Sequence, residues 1–294
     1  MRHSYMEWKR WSALFKGCLL LAVSMMPFWS DAQVSELWVA RYDESGNEDA
    51  RAIAIDSQGN VYVTGFSGGD YATVKYDANG NQLWVARYNG SANSQDKAEA
   101  LAVDSQGNVY VTGASYGDGT NMDYATVKYD ANGNQLWVAR YNEPSDADDF
   151  ATALAVDSQG SVYVTGFSGD PSDYATVKYD ANGNQLWVAR YNGASNGEDV
   201  ATALTVDSQG NVYVTGFSAS SETFDYATVK YVQCPSLCPA DVDGNGIVDD
   251  ADLLAVLFAF GNTGSNLERA DVDCSGVVDD ADLLRVLFDF GSGC

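Results

Sequence analysis

The stretch Tyr124-Ala-Thr-Val-Lys-Tyr-Asp-Ala-Asn-Gly-Asn-Gln-Leu-Trp-Val-Ala-Arg-Tyr141 decides the fold, because close copies of it recur along the chain. It contains two short runs rich in Val, Tyr, Thr and Trp, with Asp-Ala-Asn-Gly between them. Such residues favour strands, and Asn-Gly is a strong hairpin signal. The stretch therefore predicts an antiparallel hairpin with strands at residues 124–129 and 136–141.

Two further strand-like runs precede this hairpin in each copy. In the second copy they are Leu101–Val103 and Asn108–Gly113, joined by a turn of sequence Asp-Ser-Gln-Gly. The first residue of that turn marks the period, with spacings of 48, 53 and 50 residues: Asp56, Asp104, Asp157 and Asp207. Four antiparallel strands per repeat are typical of β-propeller blades. The repeats resemble the bacterial SBBP-type β-propeller repeat over residues 37–231, and this resemblance implies an exported protein.

The two ends of the repeat array are out of phase. The array opens with a lone fourth strand, Leu37–Tyr42, and closes with a third strand, Tyr226–Tyr231, that no fourth strand follows. Closure would remove exposed sheet edges, so we expect an all-β propeller of four blades, each with four antiparallel strands, closed by the N-terminal strand. The alternative is an eight-bladed ring made from two chains.

The hairpin turn also predicts the strand register. With Asn79-Gly80 as the central turn residues, Lys75 lies opposite Trp84, and ring closure would set Lys230 opposite Trp38. A cation–π contact across the strands is then expected in each blade.

Acidic residues recur on one side of the predicted ring, where the connections also vary in length between copies. Four precede third strands and four precede first strands: Asp70, Asp123, Asp173, Asp225, Glu48, Asp96, Asp149 and Asp199. They could form a ring of carboxylates for a cation or a polyol, or they could accept hydrogen bonds from nearby backbone N–H groups. The varied loops suggest a recognition surface for a glycan or a protein, and unconstrained drift of the loops is the alternative.

Beyond the repeats, a twelve-residue acidic loop occurs twice, at Asp241–Asp252 and Asp271–Asp282. Each loop has oxygen-bearing side chains at positions 1, 3, 5, 9 and 12, a glycine at position 6, and a backbone carbonyl available at position 7. This is the ligand spacing of a calcium loop. It predicts two calcium ions held by Asp241, Asp243, Asn245, Ile247, Asp249, Asp252, Asp271, Asp273, Ser275, Val277, Asp279 and Asp282. Metal-free acidic turns are the alternative.

An apolar, helix-like run follows each loop, Leu253–Phe260 and Leu283–Phe290, but Pro235 and Pro239 leave no room for a helix before the first loop. Half an EF-hand, repeated once, resembles the type I dockerin family over residues 239–292. The resemblance implies two calcium ions, two antiparallel helices and docking onto a cohesin domain. It assigns partner contacts to loop positions 10 and 11, which here are Asp250, Ala251, Asp280 and Ala281. These are not the Ser-Thr pair of well-known dockerins, so the partner's identity stays open.

Residues 1–32 read as a secretory signal, with a basic start, an apolar stretch and small residues near Ala32. We therefore expect four segments: a signal peptide (1–32), a propeller (33–231), a linker (232–240) and a dockerin-like domain (241–294). A retained N-terminal anchor is the alternative to cleavage. The expected location is the outside or the surface of a bacterium. There, Cys234, Cys238, Cys274 and Cys294 are candidates for two disulfides, with three connectivities open.

Composition excludes several function classes. The net charge of −25 argues against nucleic acid and against anionic membrane surfaces. The single histidine, His3, lies in the signal segment, so the rest of the chain has no histidine for a Ser-His-Asp triad or a zinc site. We expect a non-catalytic binding protein that recognises a glycan or a protein. A carboxylate-based glycosidase of an extracellular complex and a structural spacer are the alternatives.

Overall fold

The computed structural model describes residues 34–294 except 45, 221–222, 234–239, 244–246, 264–266, 268–269, 273–276 and 292–294. Fifteen strands and two helices lie in these described residues. The predicted signal peptide and all four candidate disulfide cysteines lie outside them. None of the described helices has the length and apolarity that a bilayer crossing requires.

The strands form four antiparallel sheets, each in simple chain order, as the repeats predict. The first sheet has β1 (Glu48–Ile55), β2 (Val61–Ser67), β3 (Asp70–Tyr76) and β4 (Gln82–Tyr88). The second has β5 (Asp96–Val103), β6 (Val109–Tyr116), β7 (Met122–Tyr129) and β8 (Gln135–Tyr141). The third has β9 (Asp149–Val156), β10 (Val162–Ser168), β11 (Asp173–Tyr179) and β12 (Gln185–Tyr191). The fourth has only β13 (Asp199–Val206), β14 (Val212–Ala219) and β15 (Phe224–Tyr231) among the described residues.

The hairpin between the third and fourth strands has the predicted register but a different turn. Lys75 lies opposite Trp84 as expected. However, only Gly80 of the pair Asn79-Gly80 has a positive φ, of 82°, so a type I′ turn is excluded. The Gly80 N–H donates to Asp77 O (3.0 Å), which makes Ala78 and Asn79 the central residues, and a bulge follows. The Asp77 carboxylate accepts the Asn79 and Asn81 N–H groups and fixes this turn.

The predicted lysine–tryptophan cation–π contact is replaced by another one. The Lys75 ammonium lies 5.0 Å from the centre of the Tyr62 ring on the neighbouring strand. Both Lys75 Nζ and Trp84 Nε1 donate to the carbonyl of Ala131, a turn residue of the second sheet. The Lys75 ammonium therefore makes its cation–π contact with Tyr62 and, together with Trp84, bonds to the next sheet.

Each sheet packs on the next one along the chain. The clusters between successive sheets combine tyrosines of the earlier sheet with valines of the later one, as Tyr71 does with Val109 and Val127. Buried tyrosine hydroxyls bond across each junction: Tyr71 to Ala125 O, Tyr124 to Ala175 O and Tyr174 to Ala227 O, each at 3.2 Å. The core therefore lies between the sheets, and each junction repeats the same chemistry.

The predicted closure of the ring within one chain is not observed. Residues 34–43, which include the expected closing strand Leu37–Tyr42, form no strand. Extensive packing joins the first sheet to the second, the second to the third and the third to the fourth. Among the described residues, no comparable packing joins the first sheet to the fourth. In the described part of the chain, the four sheets thus pack as a series from the first to the fourth.

The tail contains two helices, α1 (Asp250–Ala259) and α2 (Asp280–Phe288), each starting ahead of the apolar run that predicted it. Both begin with a capping box, in which Asp249 or Asp279 caps the helix and the aspartate three residues later accepts the cap's own N–H. The two halves also hydrogen-bond reciprocally: Gly261 N–H to Val278 O (2.7 Å) and Gly291 N–H to Val248 O (2.8 Å). Their shared core consists of matched residues thirty positions apart, including Val248 with Val278 and Val256 with Val286.

Candidate functional site

The first acidic loop brings three of its predicted metal ligands together. One carboxylate oxygen from each of Asp241, Asp243 and Asp252 lies within 4.8 Å of the others. They occupy loop positions 1, 3 and 12. Asp252 is fully buried at the start of α1, whereas Asp243 is exposed. Two backbone N–H groups hold the Asp252 carboxylate, that of Asp243 at 2.9 Å and that of Asp249 at 2.8 Å.

These residues fit a hard cation. Three carboxylates this close repel one another, and two of them, Asp241 and Asp252, have almost no contact with water. Oxygen ligands around an acidic loop suit calcium, which would neutralise the repulsion. Ile247 is 54% exposed and its side chain has no ligand atom, so position 7 would coordinate a metal through the backbone carbonyl. Asp249 caps α1 through the Ala251 N–H. Asn245 lies outside the described residues.

The second loop repeats this arrangement as far as it is described. Asp282 is fully buried and accepts the Asp279 N–H at 2.9 Å, while Asp279 caps α2 through the Ala281 N–H. Val277 forms a β-bridge with Thr263. Asp271 is part-buried at loop position 1, and Asp273 and Ser275 lie outside the described residues. The loops thus share their helix caps and their buried position-12 aspartates.

The helices of the tail expose large apolar side chains. Phe258 is 86% exposed and Phe288, its match thirty residues later, is 88% exposed. Several other apolar residues of the two helical segments are about half exposed: Leu254, Leu257, Phe260, Leu284, Leu287 and Phe290. The predicted partner-contact residues are exposed too: Asp250, Ala251, Asp280 and Ala281. Large apolar side chains exposed in such number are typical of an interaction surface.

On the repeat sheets, the acids that precede third strands form ion pairs. In the second sheet, Arg140 Nη2 donates to Asp123 (2.7 Å) and to the Ser115 carbonyl (2.7 Å). Its other terminal nitrogen donates to the Tyr88 hydroxyl of the first sheet at 3.0 Å. The first and third sheets repeat this cluster around Arg87 and Arg190. Sequence reasoning missed these arginines, although the invariant Arg of each fourth strand was a signal for them.

The acids that precede first strands are buried between the sheets. Asp96, Asp149 and Asp199 are fully buried, and each accepts a backbone N–H, from Gly90, Glu143 and Gly193 respectively. Burial raises the pKa of the Asp96 and Asp149 carboxyls, and these N–H groups oppose the shift only in part. Glu48, their equivalent in the first sheet, is part-exposed.

The acids therefore do not form one open ring of carboxylates. Asp96, Asp149 and Asp199 accept a backbone N–H, as the alternative states. Asp70, Asp123 and Asp173 instead pair with an arginine, which neither reading predicts. Asp225 of the fourth sheet is exposed, and no described arginine is paired with it. Asp173 is paired with Arg190 at 3.4 Å, and burial raises its pKa.

Comparison with known proteins supports the repeat assignment. The family model described as SBBP, a β-propeller repeat, matches residues 38–72, 84–119 and 187–221. No curated protein matches the chain. A Bacteroides caccae protein of unknown function has 12% identity and a TM-score of 0.41, over 59% of this chain and 55% of that one. Drosophila Plexin A, solved with Semaphorin 1b, has 14% identity and a TM-score of 0.39, over 82% and 50%.

Regucalcin from Agrobacterium tumefaciens has 13% identity and a TM-score of 0.34, over 58% of this chain and 54% of its own. This chain spans about half the length of these solved structures. The three matched repeats, which lie within four antiparallel sheets, support the repeat type. The chain carries SBBP β-propeller repeats in these three places.

Proposed function

We propose that this chain is an exported, non-catalytic binding protein with a calcium-dependent docking tail. The repeat sheets would present their variable loops to a glycan or protein ligand. The tail would attach the chain to a cohesin-like domain of another protein. The observation that carries this proposal is the exposed apolar surface around Phe258 and Phe288, built on two paired acidic loops.

The calcium requirement follows from the first loop. Asp252, one of the three clustered aspartates, lies in the first turn of α1 and accepts the N–H of the capping residue Asp249. Without a cation, repulsion among these carboxylates opposes the closed loop. Calcium binding therefore contributes to the folding of the tail, and through the tail to the exposed helix surface.

The glycosidase alternative has less support. A general acid with a raised pKa beside a second carboxylate is what such an enzyme needs. Asp149 has a raised pKa, and the nearby Asp123 carboxylate contributes to it. However, Asp149 is fully buried, so its carboxyl does not reach a substrate oxygen. Its neighbour Asp123 is already paired with Arg140.

The test is calcium titration by calorimetry, followed by binding to a panel of cohesin domains in calcium and in chelator. We expect two ions per chain, and binding to at least one cohesin domain in calcium only. Phe258→Ser combined with Phe288→Ser should abolish that binding and leave calcium binding intact. Leu186→Ser, at a 54% exposed leucine of β12, is the matched control.

Two negative results of this test have different meanings. An absence of calcium binding would refute the metal-dependent tail. Calcium binding without any cohesin partner would refute the docking role and leave only a calcium-stabilised tail.

A further inference from the structure

Every junction between neighbouring sheets uses the same two surfaces. The forward face of a sheet, which meets the next sheet, carries the tyrosines equivalent to Tyr62 and Tyr71. The rear face of the next sheet carries the valines equivalent to Val109 and Val127. Tyr71, Tyr124 and Tyr174, on three successive forward faces, are each fully buried. A forward face is therefore complementary to a rear face of the same chain.

At the two ends of the series, one surface of each kind is exposed over part of its area, although Val74 of the first sheet, the equivalent of Val127, is buried. Tyr226 is the equivalent of those three tyrosines on the fourth sheet, and it is 98% exposed. On the rear face of the first sheet, Ile53 is 71% exposed and Ile55 is 68% exposed. Their equivalents in the second sheet, Leu101 and Val103, pack into a junction. The fourth sheet thus ends in a forward face, and the first sheet begins with a rear face.

The strand order at the two ends is complementary in the same way. β15 has no fourth strand beside it in the described residues, whereas Leu37–Tyr42 has the Leu-Trp-Val-Ala-Arg-Tyr sequence of the three fourth strands. The SBBP match begins within this segment, at residue 38. The Tyr42 hydroxyl accepts from Arg87 (3.2 Å), just as Tyr88 accepts from Arg140. Tyr42 therefore occupies the place of a fourth-strand tyrosine from a preceding blade.

Charged residues at the two ends of the series of sheets are complementary as well. In the first three sheets, the arginine of the fourth strand pairs with the aspartate that starts the third strand. In its described strands, the fourth sheet has the aspartate, Asp225, but no such arginine. The N-terminal segment has the arginine, Arg41. Both residues are exposed, and neither forms an ion pair in the described part of the chain.

We propose that two copies of this chain associate head to tail, with the fourth sheet of each copy docked on the first sheet of the other. The Tyr226 hydroxyl would then donate to Ala72 O of the second copy, as Tyr71 donates to Ala125 O. Arg41 of the second copy would pair with Asp225, and its Trp38 would lie opposite Lys230. Two identical contacts related by a twofold axis close the ring, which then contains eight blades.

A second copy is the occupant because the first and fourth sheets of one chain do not cover each other. The first and fourth sheets of one chain share no packing comparable to the three junctions among the described residues. A second copy supplies a rear face, an edge strand and an arginine at the same time. It also covers both ends of each chain at once, so no open edge remains for further addition.

Sedimentation equilibrium of the purified protein tests the proposal. We expect twice the mass of one chain. Arg41→Glu and Asp225→Arg, made separately, should each weaken association by at least about tenfold, because each puts like charges together at the contact. Arg285→Glu, a reversal at an exposed arginine of α2, should leave the mass unchanged.

Mixing the two weakened variants distinguishes association between copies from closure within one chain. In the mixed pair, Asp225 of one copy meets Arg41 of the other, and the substituted Arg meets the substituted Glu. Both contacts therefore regain opposite charges, and the doubled mass should return on mixing. A wild-type protein with the mass of one chain at all concentrations would overturn the proposal. So would no recovery on mixing, or a ladder of larger assemblies.

Discussion

At the residue scale, the buried aspartates between the sheets show how one side chain type takes two roles. Asp123 is ion-paired with Arg140 at 2.7 Å and needs its charge. Asp149 is fully buried without an arginine, and burial raises its pKa. A raised carboxyl pKa means that the folded state binds the proton more tightly than the unfolded chain does. Its stabilising contribution is therefore present at acid pH and is lost as the pH rises through the raised pKa.

Because burial raises the pKa of Asp149, we predict that Asp149→Asn stabilises the protein at neutral pH. The amide keeps an oxygen to accept the Glu143 N–H and removes the buried negative charge. We expect a gain on the order of 1 kcal/mol at pH 7, which disappears as the pH falls toward the ordinary aspartate pKa of about 4. Urea denaturation at several pH values measures it. Asp123→Asn is the control, because it removes a charge that pairs with Arg140 and should lower the stability. A gain in stability from this variant as well would contradict the different roles assigned to Asp123 and Asp149.

At the element scale, the hairpins explain which features the sequence predicts and which it does not. The Lys75–Trp84 register agrees with the prediction although the turn differs, because the bulge beside Tyr76 offsets the shift of the turn by one residue. The cation–π partner was not, since Lys75 also reaches Ala131 O on another sheet. The capping aspartates of the tail helices follow from local spacing. The arginine clusters combine a fourth strand with a second and a third, so only the assembled sheet shows them.

Glycine substitutions in two loops separate local backbone strain from packing between sheets. Gly133 and Gly119 both have a positive φ, 84° and 82°. A Cβ on Gly133 would lie 2.9 Å from the Trp84 ring of the first sheet, whereas a Cβ on Gly119 meets nothing within 4 Å. Gly119→Ala should therefore cost only the left-handed strain, about 1–2 kcal/mol.

Gly133→Ala adds the contact with the indole of Trp84 to the same strain, so it should destabilise the protein more than Gly119→Ala. Chemical denaturation of the two variants side by side measures the difference. Equal losses would mean that the hairpin turn of the second sheet does not pack on Trp84.

At the scale of the whole molecule, stability should be nearly a sum over repeated junctions, because each sheet packs mainly on its neighbours. The residues that form a junction were easier to predict from the sequence than the pairs of sheets that pack together. The repeats predict four sheets and their order, and the sequence also shows the unmatched strands at the ends. Closure depends on how far each sheet is rotated from the next, and no local pattern encodes that rotation. Leu37–Tyr42 forms no strand, in contrast to its prediction.

The tyrosine hydroxyls test this additive picture and the two-copy ring together. Tyr71→Phe, Tyr124→Phe and Tyr174→Phe each remove one buried hydrogen bond to the next sheet, so each should cost about 1 kcal/mol at any protein concentration.

Tyr226→Phe removes a hydroxyl that is exposed in the single chain. Its effect should be absent in dilute protein and emerge only as rising concentration populates the two-copy ring, since association stabilises by mass action. Thermal melts of the four variants over a hundredfold range of concentration measure this. A loss in Tyr226→Phe that is independent of concentration would place the tyrosine in a contact within one chain.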